Sequence, residues 1–121
     1  MNKKAILGKA GEDIVAKKLE RNGFSVLEKN YTKKYGEIDL IAQKGDLLLF
    51  IEVKMRKNPL FELEYLITPR KQKKIIAVAK EYIARNNCNN KICRFDIALI
   101  TGTKYNHKLN YIPNAFGEFY N

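Results

Sequence analysis

Gly36-Glu37-Ile38-Asp39-Leu40-Ile41-Ala42, then Lys44-Gly45-Asp46, then Leu47-Leu48-Leu49-Phe50-Ile51-Glu52-Val53-Lys54 form the centre from which the architecture follows. Two runs rich in Ile, Leu, Phe and Val, joined by a short polar segment around a glycine, have the chemistry of a β-hairpin. The second run is apolar at nearly every position, which predicts a strand covered on both faces and so a sheet with helices on either side. Such a strand offers no cheap place for charge, yet it ends on Glu52 and Lys54, and buried charges need partners. Side chains alternate along a strand, so Glu52 and Lys54 share a face, as do Glu37 and Asp39 on the preceding run.

Whether the two pairs meet depends on the turn, because a one-residue slip moves a whole set of side chains to the other face. A two-residue loop at Lys44-Gly45 puts Glu37 opposite Glu52 with Asp39 diagonal to it. A four-residue loop over 44–47 puts Asp39 directly opposite Glu52, and a three-residue loop separates the sets. In either of the first two registers, carboxylates converge to about 5–7 Å and repel unless a cation sits between them. Oxygen donors of this kind select a hard ion, Mg²⁺ or Mn²⁺. Such an ion polarises a phosphate oxygen and lowers the pKa of bound water, while an adjacent lysine orients that water or offsets developing charge. Those are the needs of phosphodiester hydrolysis. The plainer reading of Asp39, Glu52 and Lys54 is a structural ion pair at a sheet edge.

Outward from the hairpin, a first helix is expected over 4–22, with Ala10, Ile14, Val15 and Leu19 as its apolar stripe and Asn22-Gly23 as its stop. Glu12 borders that stripe; it either points inward to join the acidic set or serves as a favourable acid in an early helical turn. A short strand over 24–28 precedes a polar loop over 29–35. Residues 56–67 read as a loop, after which Thr68-Pro69 marks the start of a second helix reaching Arg85. Strands over 94–100 and 108–112 close the chain, giving the order αβββαββ and an α/β class with one domain over 1–121.

Net charge narrows the partner. Lys and Arg number 23 against 13 Asp and Glu, for +10 over 121 residues, so a polyanion is the expected ligand. Arg70, Lys71, Lys73 and Lys74 on the second helix form either a phosphate-binding rim or a solvated face; Lys33, Lys34, Arg56 and Lys57 flank the acidic strands as further backbone contacts. Tyr31, Tyr35 and Phe61 lie among them and read as packing residues ahead of base-stacking platforms. Cys88 and Cys93, with His107 as the one histidine, fall short of a zinc site and read as reduced thiols. No apolar run approaches the roughly 18 residues of a membrane span, and the residues 8–13 interrupt any leader after three apolar positions, which points to the cytoplasm. Asp96 is expected to pair with a basic neighbour; His107 and residues 114–116 are given no chemistry.

The ordered set of Gly11-Glu12, Gly36 to Ala42 with Asp39, Glu52-Val53-Lys54, Pro69-Arg70-Lys71-Gln72, Arg94-Phe95-Asp96 and Ile112-Pro113-Asn114-Ala115-Phe116 resembles the YraN family of bacterial proteins, within the PD-(D/E)xK nuclease superfamily. The resemblance implies a restriction-endonuclease-like sandwich, a mixed sheet of about five strands flanked by helices, similar in plan to archaeal Holliday-junction resolvases. It also implies roles: Asp39 and Glu52 as metal ligands with help from the Val53 carbonyl, Lys54 as catalytic residue, Glu12 holding a water at the metal, and Gln72 lining the site; Glu37 is a further candidate donor from strand alternation alone. Met55 stands where threonine or serine is common after the lysine, and Ile38 where the superfamily has its proline. The implied function is a Mg²⁺- or Mn²⁺-dependent endonuclease on nucleic acid, DNA ahead of RNA, with branched DNA among the substrates. The rival is a module that keeps the fold and binds without cutting. Symmetric cutting of a junction requires a homodimer, for which no heptad or apolar strip announces an interface.

Overall fold

The computed structural model describes residues 3–57 and 67–117, with side chains from Gly8 onward. Its elements run α1 (Lys3–Arg21), β1 (Ser25–Lys33), β2 (Gly36–Lys44), β3 (Leu47–Arg56), α2 (Pro69–Arg85), β4 (Ile92–Gly102) and β5 (His107–Phe116). The five strands form one mixed sheet in chain order, with β3 and β4 parallel and the other neighbours antiparallel. A parallel pair needs a crossover, and α2 supplies it.

The two helices cover opposite faces of the sheet. On the α1 side, Val15, Ala16 and Leu19 bury against Leu40, Ala42, Leu49, Ile51, Met55, Ala98 and Ile100. On the α2 side, Ile75, Val78, Ala79 and Tyr82 bury against Ile38, Ile41, Leu48 and Phe50. Alternate residues of β3 therefore feed two separate cores, which is why that strand is apolar throughout. Helix α1 comes close to the sheet because position 11 is glycine: a Cβ there would stand 3.2 Å from Val53 Cγ1 and 3.3 Å from the Met55 Cβ.

The hairpin closes with Lys44 paired to Leu47, and Gly45 takes the left-handed conformation the tight turn needs (φ 58°). This is the register of the longer-loop alternative, with Gln43 opposite Leu48 and Leu40 opposite Ile51. Helix α2 begins as expected: Thr68 caps it, its Oγ1 accepting from the Lys71 amide at 3.2 Å, and Pro69 opens the first turn.

Three boundaries differ from expectation. Residues 29–33, expected as loop, continue β1, an edge strand whose outer face is solvated and so carries polar side chains. β4 and β5 extend beyond 94–100 and 108–112, the latter reaching Phe116, which stacks on Phe95 with ring centroids 5.2 Å apart. Most of the segment expected as a loop, 58–66, and Phe61 within it, lies outside the described residues.

Asp96 is fully buried and does find its basic neighbour. Arg94 donates to both carboxylate oxygens at 2.9 and 3.0 Å, Tyr111 Oη donates to Oδ2, and the Asn114 amide donates to Oδ1 at 2.8 Å. The register of β4 and β5 shifts at this point, between Phe95 and Ile97, so the carboxylate satisfies an amide that the ladder leaves over. No helix among the described residues is long and apolar enough to cross a membrane.

Candidate active site

Strand β2 changes character at Asp39. Ile38 packs in the α2 core and Leu40 in the α1 core, although residues two apart on a regular strand face the same way. The matching position on β1 is Asn30, which lies between the pairs Lys29–Leu40 and Tyr31–Ile38 and adopts a left-handed conformation (φ 52°) that asparagine tolerates. The β2–β3 ladder ends at the pair Leu40–Ile51. Beyond it the two strands fork, and Asp39 Oδ2 accepts the Val53 amide at 2.8 Å, taking the place of a ladder carbonyl.

Glu52 follows the last residue of β3 that pairs with β2, and its carboxylate meets Lys71 of α2. Its side chain is 6 % exposed, and Oε1 meets two ammonium groups, Lys71 Nζ at 2.8 Å and Lys54 Nζ at 3.3 Å. Glu12 approaches from α1, with Oε1 accepting from Asn30 Nδ2 at 2.9 Å. The fork thus replaces the single shared face expected from alternation. It lets groups from both sides of the sheet line one cavity of about 950 Å³, which includes Glu12, Glu37, Asp39, Glu52, Val53 and Lys54.

Electrostatics at the fork are strained toward neutrality. Burial, and then the charge of Glu52, push the Asp39 carboxyl from 3.8 up to about 7, against the opposing Val53 bond. Burial likewise raises Glu12, with the Asn30 bond opposing and Glu37 adding to the rise. Lys54 is lowered by burial and by its Lys71 neighbour, despite Glu52. For Lys71 burial also pulls down, but its bonds to Glu52 and Lys54 win and its pKa rises. Acids and lysines therefore share one half-dry space, with Lys54 and Lys71 both turned on Glu52.

Of the expected phosphate contacts, Arg56, Lys57, Arg70, Lys71 and Lys74 line the cavity. Lys33 is engaged elsewhere, 3.5 Å from Glu81 and over the Tyr31 ring at 4.9 Å, and Lys34 and Lys73 are exposed outside the lining. Gln72 also lies outside it: its amide donates to the Ile67 carbonyl at 3.2 Å and fastens the start of α2. The position facing the acids is the preceding residue, Lys71, expected at the rim. Tyr31 packs edge-on against Tyr82 and Tyr35 donates to Glu81, so neither tyrosine faces the cavity. Asn30 carried no signal as a site residue; its part depends on a backbone conformation that no periodicity announces. Cys88 and Cys93 are free thiols. Among the described residues no three His, Cys, Asp or Glu side chains cluster as a ready metal cage; Asp39 and Glu52 both line the cavity.

Comparison with known proteins places the chain. It is 44% identical over 119 residues to a UPF0102 protein of Dictyoglomus turgidum, covering 96% of this chain and all of that one. A UPF0102 protein of Nitrosomonas eutropha is 46% identical over 102 residues, 83% of this chain and 84% of its own. Among solved structures, Archaeoglobus fulgidus Hjc, a Holliday junction resolvase from an archaeal hyperthermophile, superposes with a TM-score of 0.57 at 22% identity, over 84% of this chain and 72% of that one. The fold is therefore the nuclease-like α/β sandwich expected. The model of the uncharacterised protein family UPF0102 matches residues 11–100, and the chain belongs to that family, the YraN family.

Proposed function

We propose that the protein is a metal-dependent endonuclease that hydrolyses phosphodiester bonds in DNA, with branched DNA as the substrate class. The observation that carries the reading is the fork: Asp39, raised to about 7 partly by Glu52, shares with Lys54 a cavity rimmed by Arg56, Lys57, Arg70 and Lys74. A protein that only bound DNA would have no use for acids pressed together beneath a basic rim. The likeness of the fold to a Holliday junction resolvase supports the same class of substrate.

The donor set fits a hard divalent cation. Asp39 and Glu52 offer carboxylate oxygen, and the burial and Glu52 charge that raise Asp39 are relieved when a divalent ion sits between the two. Asp39 and Glu52 would hold Mg²⁺ or Mn²⁺, with the Val53 carbonyl and Glu37 as further donors. When bound, that ion would polarise a phosphate oxygen and offset the charge that develops during attack.

The chain's own groups supply the rest. Lys54, lowered from the ordinary lysine value, can give or take a proton at Nζ and so serves the attacking water. Glu12, fixed by Asn30, accepts a hydrogen bond from that water and orients it. Arg56, Lys57, Arg70 and Lys74 hold the flanking phosphates. Gln72 takes no direct part, since its amide holds the Ile67 carbonyl. Symmetric cutting of a junction would bring two copies to one substrate.

Incubating the protein with branched, single-stranded and duplex DNA in Mn²⁺ tests this. Cleavage is expected on the branched substrate and is lost in Asp39→Asn and Lys54→Ala while both still bind. Binding without cleavage by the unaltered protein would leave the non-cutting module as the correct reading.

A further inference from the structure

Lys71 has a place no phosphate contact needs. Its Nζ lies nearer to Glu52 Oε1 than that of Lys54, 2.8 against 3.3 Å, and both ammonium groups address the same oxygen. A carboxylate as buried as Glu52 requires a countercharge. Lys54 already provides one from a rigid strand, so Lys71 is a second cation on a site that has one. The two lysines differ in mobility: Lys54 is 20 % exposed on β3, whereas Lys71 is 38 % exposed at the end of a flexible stem in the first turn of α2. The capped backbone fixes where that stem starts, and the open cavity gives its tip room to leave.

We propose that Lys71 is a stand-in cation: it occupies the metal's place on Glu52, yields it when a divalent ion binds, and swings to the cavity mouth to meet a phosphate. The inference rests on the metal-dependent reading above and adds a residue that competes with the ion. Glu52 keeps a countercharge in both conditions, because one cation leaves the carboxylate as another arrives.

The test is calorimetric titration of the full chain with Mn²⁺ alone, without DNA. Lys71→Met should bind Mn²⁺ about tenfold tighter than the unaltered protein, the effect of removing one partly buried competitor. Lys73→Met removes the same formal charge from the exposed side of that helix turn and should change affinity less than about twofold, since solvent and salt screen it. Lys71→Arg, which keeps a cation on Glu52, should remain near the original affinity. Lys71→Gln serves if the methionine variant loses its circular dichroism spectrum. Equal affinities for the Lys71→Met and Lys73→Met proteins would overturn the stand-in role alone, because the gain would then be a general field effect. Absence of Mn²⁺ binding in every protein, the unaltered chain included, would remove the metal-dependent reading itself and this inference with it.

Discussion

Replacing Asp39 by Asn should make the metal-free protein more stable at neutral and alkaline pH, although it removes an acid on which the proposed activity depends. The carboxyl is raised from 3.8 to about 7 by burial and by Glu52. Below about pH 4 it is protonated in folded and unfolded chains alike. Between about 4 and 7 the unfolded chain has released the proton and the folded chain still holds it, so stability falls as pH rises and levels off above 7. The full span corresponds to about 4 kcal/mol. Asparagine has the same shape, carries no charge, and keeps an oxygen for the Val53 amide. At pH 8 with a chelator, Asp39→Asn should therefore resist unfolding by about 4 kcal/mol more than the parent, or melt roughly 10–15 °C higher. At pH 4.5 the gap should narrow to about 1 kcal/mol. Urea titrations at the two pH values measure it directly. A variant no more stable than the parent at pH 8, or a gap independent of pH, would refute the strained fork.

Asp96→Ala should cost about 3–5 kcal/mol in urea unfolding, since it strands the Arg94 guanidinium beside an emptied, fully buried position and leaves the Asn114 amide unpaired. Thr68→Ala removes the cap of α2 and should cost about 1 kcal/mol by the same measurement, with a normal circular dichroism spectrum. Lys74→Ala should weaken DNA binding across sequences and reduce the slope of log affinity against log salt by about 1 in a fluorescence anisotropy series, whereas an unchanged slope would take Lys74 off the phosphate path.

The sequence was informative where local chemistry dictates geometry. Lys44-Gly45-Asp46 between two apolar runs fixes a hairpin, and Thr68-Pro69 fixes a helix start, because the turn and the cap are made by the residues themselves. An apolar run reaching Glu52 and Lys54 pointed to charges that the structure places in one cavity. The edge strand β1 was less legible beyond residue 28: with one face in solvent, its alternation is between half-buried and polar residues and resembles a loop. The fork at Asp39 was illegible, since it depends on Asn30 turning left-handed on a neighbouring strand. Lys71 in place of Gln72 follows from how α2 docks on β2, a tertiary relation that helical spacing alone leaves free.

The close of β5 has a consequence for the company this protein keeps. Pro113 has no amide hydrogen to offer, Asn114 is left-handed, and its amide is already spent on Asp96. A stray strand arriving at that outer margin meets a broken template, so accidental sheet growth is discouraged there. A strand added along β5 would have to stop short of Pro113.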